Sequence, residues 1–156
     1  IGARLCDNWG DGADQILTSV SPAMSQEFAF NYEKKWAEMF GLFAYGCCER
    51  LDHKINELKT FKNLRKLSIS PFADLEAAME KLGGDVVVSF KPNSNYLTDP
   101  VWNKELSKKE LIRVCELAHK YNCNVEIIMK TLITLRGEPQ RLWEWCDMAL
   151  DIVSNY

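Results

Sequence analysis

The stretch Asp85-Val86-Val87-Val88-Ser89-Phe90 is continuously apolar and stops at Lys91-Pro92-Asn93. A strand apolar on both sides cannot leave one face in water, so it belongs to a parallel sheet covered by helices. The same unit recurs along the chain. Leu42 to Cys48, Leu64 to Ser70 and Asn124 to Lys130 read as further strands. Ala3-Arg4-Leu5-Cys6 reads as a short apolar stretch that ends in a polar, glycine-punctuated loop from Asp7 to Gly12.

Helical patterns fill the intervals. Ser21 caps a helix with Pro22 in its first turn, and Phe28, Tyr32, Trp36 and Met39 or Phe40 follow at helical spacing until Gly41. Shorter helices are predicted around 52–58 and over 73–82, the second opened by Asp74 and closed by Gly83-Gly84. Ser107 is the expected cap of a helix from Lys108 to Tyr121, and Pro139 to Val153 forms the last one. Strands alternating with helices define an α/β domain. Periodicity fits an open doubly wound sheet and part of an eight-stranded βα barrel equally well.

Composition narrows the class. The 156 residues are 47% hydrophobic and 26% charged, so the chain has the material for a core and lacks the signature of disorder. Basic residues number 19 against 22 acidic ones, for a net charge of -3, which argues against a nucleic-acid surface. No apolar run reaches the roughly 18 residues of a membrane helix. The six cysteines include no CxxC pair, and no signal peptide opens the chain. Reduced thiols in the cytoplasm are the expectation. The first residues, Ile1-Gly2-Ala3, include no methionine, which suggests a piece of something longer.

In parallel α/β folds, functional groups gather at the carboxyl ends of the strands. Those ends offer Asp7 and Asn8; Tyr45, Cys47 and Glu49; Ser68 and Ser70; Ser89 and Lys91; and Glu126 with Lys130. Alternation places Tyr45, Cys47 and Glu49 on one face, and Glu126, Ile128 and Lys130 on another common face. Charged residues inside apolar strands need pairing or a ligand. For Lys91 and Lys130 both readings stand: a structural ion pair with Glu126, or an anchor for substrate. Cys47 and Glu49 are a thiolate and a carboxylate at i and i+2, a pair that suits zinc, or a small apolar residue beside an exposed glutamate. His53 and His119 lie in helical stretches and read as surface residues.

A series of segments then becomes familiar. Tyr45-Gly46-Cys47-Cys48-Glu49-Arg50-Leu51 is followed by Asn63-Leu64-Arg65-Lys66-Leu67-Ser68-Ile69-Ser70-Pro71-Phe72-Ala73-Asp74. Ser89-Phe90-Lys91-Pro92-Asn93, Lys130-Thr131-Leu132 and Pro139-Gln140-Arg141-Leu142-Trp143-Glu144-Trp145 complete it. From about Ser21 onward the chain resembles the uroporphyrinogen decarboxylase-like superfamily, in its branch associated with corrinoid methyltransferases. The resemblance implies a (β/α)8 TIM barrel, with residues 1–156 supplying about strands 4 to 8 as its C-terminal portion.

The superfamily implies two chemistries. Decarboxylases act on a tetrapyrrole without a cofactor and carry a glycine-histidine-glycine motif after the last strand; here that place reads Met129-Lys130-Thr131-Leu132. Corrinoid-dependent methyltransferases hold zinc through a histidine-x-cysteine pair and a late cysteine; here Tyr45-Gly46-Cys47 supplies the cysteine alone. The expectation is a methyltransferase-type enzyme working with a corrinoid carried on a partner protein, with a tetrapyrrole-acid decarboxylase as the alternative. A third reading is an inactive fragment that binds or self-associates through its strand edges. The expected catalytic residues are Asp7, Tyr45 and Lys130; a small-molecule substrate would meet Asn8, Ser70, Lys91, Asn93 and Glu126; zinc would bind Cys47 and Glu49.

Overall fold

The computed structural model describes residues 2–13, 15–46 and 48–156. Five strands, β1 (Trp9–Gly12), β2 (Leu42–Tyr45), β3 (Leu64–Ile69), β4 (Val87–Phe90) and β5 (Val125–Ile127), form one sheet. Every neighbouring pair is parallel and the spatial order is β1-β2-β3-β4-β5. Doubly wound sheets reverse their strand order at a switch point. This order has no reversal, so the chain winds in one direction and sends its crossover helices to one face. The arrangement is an all-parallel α/β sheet consistent with a partial barrel.

Between the strands run α1 (Pro22–Ser25) and α2 (Asn31–Ala37), α3 (Ile55–Leu58), α4 (Leu75–Leu82), α5 (Asn95–Thr98) and α6 (Lys104–Lys120), and α7 (Gln140–Ser154) follows β5. Ser21 caps α1 by accepting from the Met24 amide, and Asp74 caps α4 by accepting from Ala77. Gly83 closes α4 at φ +56°, a conformation glycine adopts without a Cβ penalty. Alternate strand residues Phe43 and Tyr45, Leu67 and Ile69, Val88 and Phe90 are buried beneath the helices. There Phe30, Phe43, Tyr45 and Phe61 pack ring against ring, with centroids 5.7–6.5 Å apart.

Three expectations are corrected. The first strand is not Ala3–Cys6 but Trp9–Gly12, inside the segment expected to be a loop; Leu5–Asp7 is a single 3-10 turn before it. Gly10 and Gly12 are there because Phe40, Phe43 and Tyr45 press against them from the helix side. The long helix is capped by Asn103, whose side chain accepts from Leu106, and Ser107 is a buried residue inside its first turns.

The third correction concerns α1 and α2. A π-helical turn, Gln26–Phe30, joins them into one helix over 22–37. The wide turn spaces the inward residues Ser25 and Phe30 five apart, with Ala37 two turns later. The apolar stripe at helical spacing therefore points outward: Phe28 is 64% exposed, Tyr32 65% and Trp36 49%.

Candidate functional site on the open face of the sheet

The face without helices carries the other half of each strand's alternation. Registers Asp11↔Ala44, Ala44↔Lys66, Ser68↔Ser89 and Ser89↔Glu126 put these side chains in rows across that face. Strand β2 contributes Leu42, beside Trp9 at the amino end, and then Ala44, followed by Gly46. Gly46 sits at φ +147°, and a Cβ on it would collide with the Ser68 side chain and lie 2.9 Å from the Ser68 nitrogen. The result is a floor of small residues, with Trp9 and Asp11 on one side and a polar cluster on the other. Two strand spacings separate the sides, on the order of 10 Å.

The polar cluster is connected. Lys66 Nζ meets Glu126 Oε2 at 2.8 Å, Ser89 donates to Glu126 Oε1 at 2.5 Å, and Lys91 Nζ donates to the Ser89 hydroxyl at 2.6 Å. The Lys66 ammonium also lies 5.5 Å from the centroid of the Trp9 ring. Burial pushes the Lys91 pKa down; nearby Glu126 opposes this, while Lys130 and Lys66 add to it. Burial would raise the Glu126 carboxyl, but its bonds to Lys66 and Ser89 prevail and hold it below its ordinary value. Lys66 and Lys91 thus both act on one carboxylate, and with Lys130 near Lys91 the lysines on this side outnumber it. Opposite, the exposed Asp11 has its carboxyl raised by partial desolvation and makes no hydrogen bond or ion pair among the described residues.

Of the residues expected from sequence, Glu126 and Lys91 meet here, and Lys130 lies close enough for its charge to act on Lys91. Thr131, which follows it, is held at φ +62°, a strained place for a β-branched residue. Glu126 pairs directly with Lys66, and with Lys91 only through Ser89.

The other expected residues stand elsewhere. Asp7 precedes β1, at the amino end of the sheet, where Arg4 at 2.9 Å draws its carboxyl below the usual range. Asn8 donates to the Arg4 carbonyl at 2.6 Å and its own carbonyl accepts from Gly41. Tyr45 points under the helices, its hydroxyl donating to Glu33 at 2.7 Å. Ser70 is buried in a turn and accepts from the Phe72 amide. Asn93 shapes the turn into α5, its side chain accepting from Asn95.

Cys47 lies outside the described residues and Glu49 is exposed. Among the described residues, no three of His, Cys, Asp and Glu are grouped to hold a metal. The described donors therefore do not make up a zinc site. Cys48 is a free, exposed thiol.

Sequence reading missed Lys66, Trp9 and Asp11. Lys66 was legible as a charge two residues before Ser68, hence on the same face of the strand. Trp9 and Asp11 were hidden by the misplaced first strand. No family model matches the chain, and neither a curated protein nor a solved structure matches it. No helix among the described residues is long and apolar enough to cross a membrane.

Proposed function

We propose that this chain is part of a uroporphyrinogen decarboxylase-like barrel enzyme whose open-face groove binds a carboxylate-bearing small molecule. The carrying observation is the surplus of lysines near Glu126, on a face that narrows past Leu42 to the small residues Ala44 and Gly46. The strictly sequential strand order supports the barrel reading, because the same winding continued through three more strands closes an eight-stranded sheet. In that reading the groove opens into the barrel, at the end where barrel enzymes keep their chemistry.

The residues have distinct tasks. Lys91, partly desolvated and bonded to Ser89, exchanges that hydroxyl for a substrate carboxylate at little reorganisation. Glu126 fixes Lys66 and Ser89 and offsets the mutual repulsion of Lys66 and Lys91. Asp11 takes the acid role expected of Asp7, because it faces the lysine cluster across the small-residue floor and partial desolvation raises its carboxyl.

Methyl transfer with a corrinoid-bearing partner is the preferred chemistry, since 129–132 lacks histidine and 47–48 offers two thiols. No step is assigned to zinc. Decarboxylation of a tetrapyrrole acid is the alternative, favoured by the lysine cluster. Zinc content of the full-length protein, with and without Cys47→Ala, tests the first: metal lost in the variant supports it, and metal in neither ends it. Incubation with uroporphyrinogen, following loss of carboxylates, decides the second. Lys91→Met should abolish whichever turnover is found; full activity in that variant would end the groove assignment.

A further inference from the structure

A second cavity, of about 650 Å3, lies behind the β4 loop, between the turn that leads into α4 and the first turns of α6. Its chemistry differs from that of the groove. Phe72, Leu75, Phe90 and Tyr96 give it apolar walls, and Glu110 reaches into it from α6. Both Glu110 oxygens accept from a single donor, the Asn93 amide, at 3.1 and 3.2 Å. A carboxylate has about four acceptor positions, so most of this one's capacity is unspent. No cation is paired with it among the described residues, and burial pushes its pKa up to about 7 against the Asn93 bond.

Cations are nevertheless present at the rim. Lys109 and Arg113 stand one helical turn apart and make no hydrogen bond or ion pair among the described residues. Arg50 also lines the cavity but is held by Asp52 at 2.7 Å, and Asp74 is engaged as the α4 cap. The cavity thus presents a carboxyl without a cation inside, aromatic rings between, and at the mouth Lys109 and Arg113, neither in an ion pair, although the Arg113 charge also acts on Glu76. Anions alone would leave Glu110 unpaired, and amines alone would leave the rim unused.

We propose that this cavity binds a free α-amino acid with an apolar side chain. Its carboxylate meets Lys109 and Arg113, its ammonium meets Glu110, and its side chain lies against Phe72 and Phe90. The volume falls within the range of small-molecule sites. This site is independent of the open-face groove and of the chemistry proposed there.

The test uses the full-length protein, with L-phenylalanine as the probe and calorimetry plus the Asn93 amide resonance as readouts. L-phenylalanine should bind saturably and shift the Asn93 amide, which shares Glu110 with the ligand. Phenylpropionate, lacking the ammonium, and phenethylamine, lacking the carboxylate, should each bind at least about tenfold more weakly, the loss of one charge-assisted contact. Affinity for L-phenylalanine should rise about tenfold from pH 6 to pH 8, because the ammonium requires ionised Glu110. Arg50, Asp74, Lys109, Arg113 and Tyr96 are the other titratable groups that face the cavity.

Glu110→Gln, which retains an acceptor for Asn93, should remove this pH dependence and the preference over phenylpropionate. Arg113→Ala should weaken L-phenylalanine and phenylpropionate together and leave phenethylamine unchanged. Absence of saturable L-phenylalanine binding, or equal affinity for phenylpropionate, would overturn the proposal. So would a Glu110→Gln protein that binds L-phenylalanine with its pH dependence intact.

Discussion

Lys66 and Glu126 belong to strands separated by a third, yet their side chains meet at 2.8 Å above Ser89 of the strand between them. The pair is about one-third exposed at both ends, so its own contribution to stability is small. Its position explains it better: it organises lysines around a carboxylate on a face that no helix covers. Glu126→Gln should therefore lower unfolding free energy by less than about 1 kcal/mol in urea titrations at pH 7. Folding depresses the Glu126 pKa, so its contribution is present above the ordinary carboxylate range and fades as pH falls through the folded value.

Lys91→Met separates an anchor from an ion-pair partner. A substrate carboxylate held by Lys91 is a charge-assisted contact of about 1.5–3 kcal/mol, equivalent to roughly 10- to 150-fold in affinity. Calorimetry with citrate as a probe anion on the full-length protein should show a loss in that range for Lys91→Met. Glu126→Gln should keep or improve citrate binding, because it raises the local positive charge. Equal losses in the two variants would make the cluster a structural ion pair instead.

The floor of the groove has its own test. Gly46→Ala places a methyl group against Ser68 in a backbone conformation that L-residues rarely adopt. A cost of about 2 kcal/mol or more follows from overpacking and strain together. Ser68→Gly in the same chain should recover part of that loss, since it removes the Cβ while the φ penalty remains. Thermal melts of the two single variants and the double variant read the coupling directly.

What was legible in the sequence was whatever local patterning alone decides. The run 85–90, the caps Ser21 and Asp74, and the stop at Gly83 each carry their reason within a few residues. The parallel α/β class followed from them. Strand order did not, because nothing local distinguishes winding in one direction from winding in two. Trp9 to Gly12 was read as a loop because two glycines punctuate it, and the aromatic rings that require those glycines come from 40, 43 and 45. At the site, Lys91 and Glu126 stood out as charges in apolar strands. Asp11 could be placed only once the register to Ala44 and Lys66 was known.

The outward stripe on the first long helix gives a contrast between pattern and packing. By periodicity alone, Phe28, Tyr32 and Trp36 would be core residues, and truncating any of them would cost about 3–5 kcal/mol. Their exposure predicts instead that Phe28→Ser and Tyr32→Ser change stability by under about 0.5 kcal/mol. Phe30→Ala, two residues from each and fully buried against Tyr45 and Phe61, should show the large value. Urea titrations of the three variants measure where the π-helical turn points the helix.

Glu110 makes a prediction that needs no ligand. Burial raises its pKa from 4.5 to about 7, so the folded chain holds this proton more tightly than the unfolded chain does. The linked stability is complete below about pH 4.5 and is lost as pH rises toward 7. Partial solvent access screens the effect, leaving a change on the order of 1–2 kcal/mol. Glu110→Gln cannot ionise and still accepts from Asn93. Its stability relative to the parent should be unchanged near pH 4.5 and higher by that amount at pH 8. Urea midpoints at the two pH values decide the matter: a parallel pH dependence in both proteins would mean that Glu110 titrates as an ordinary surface carboxylate.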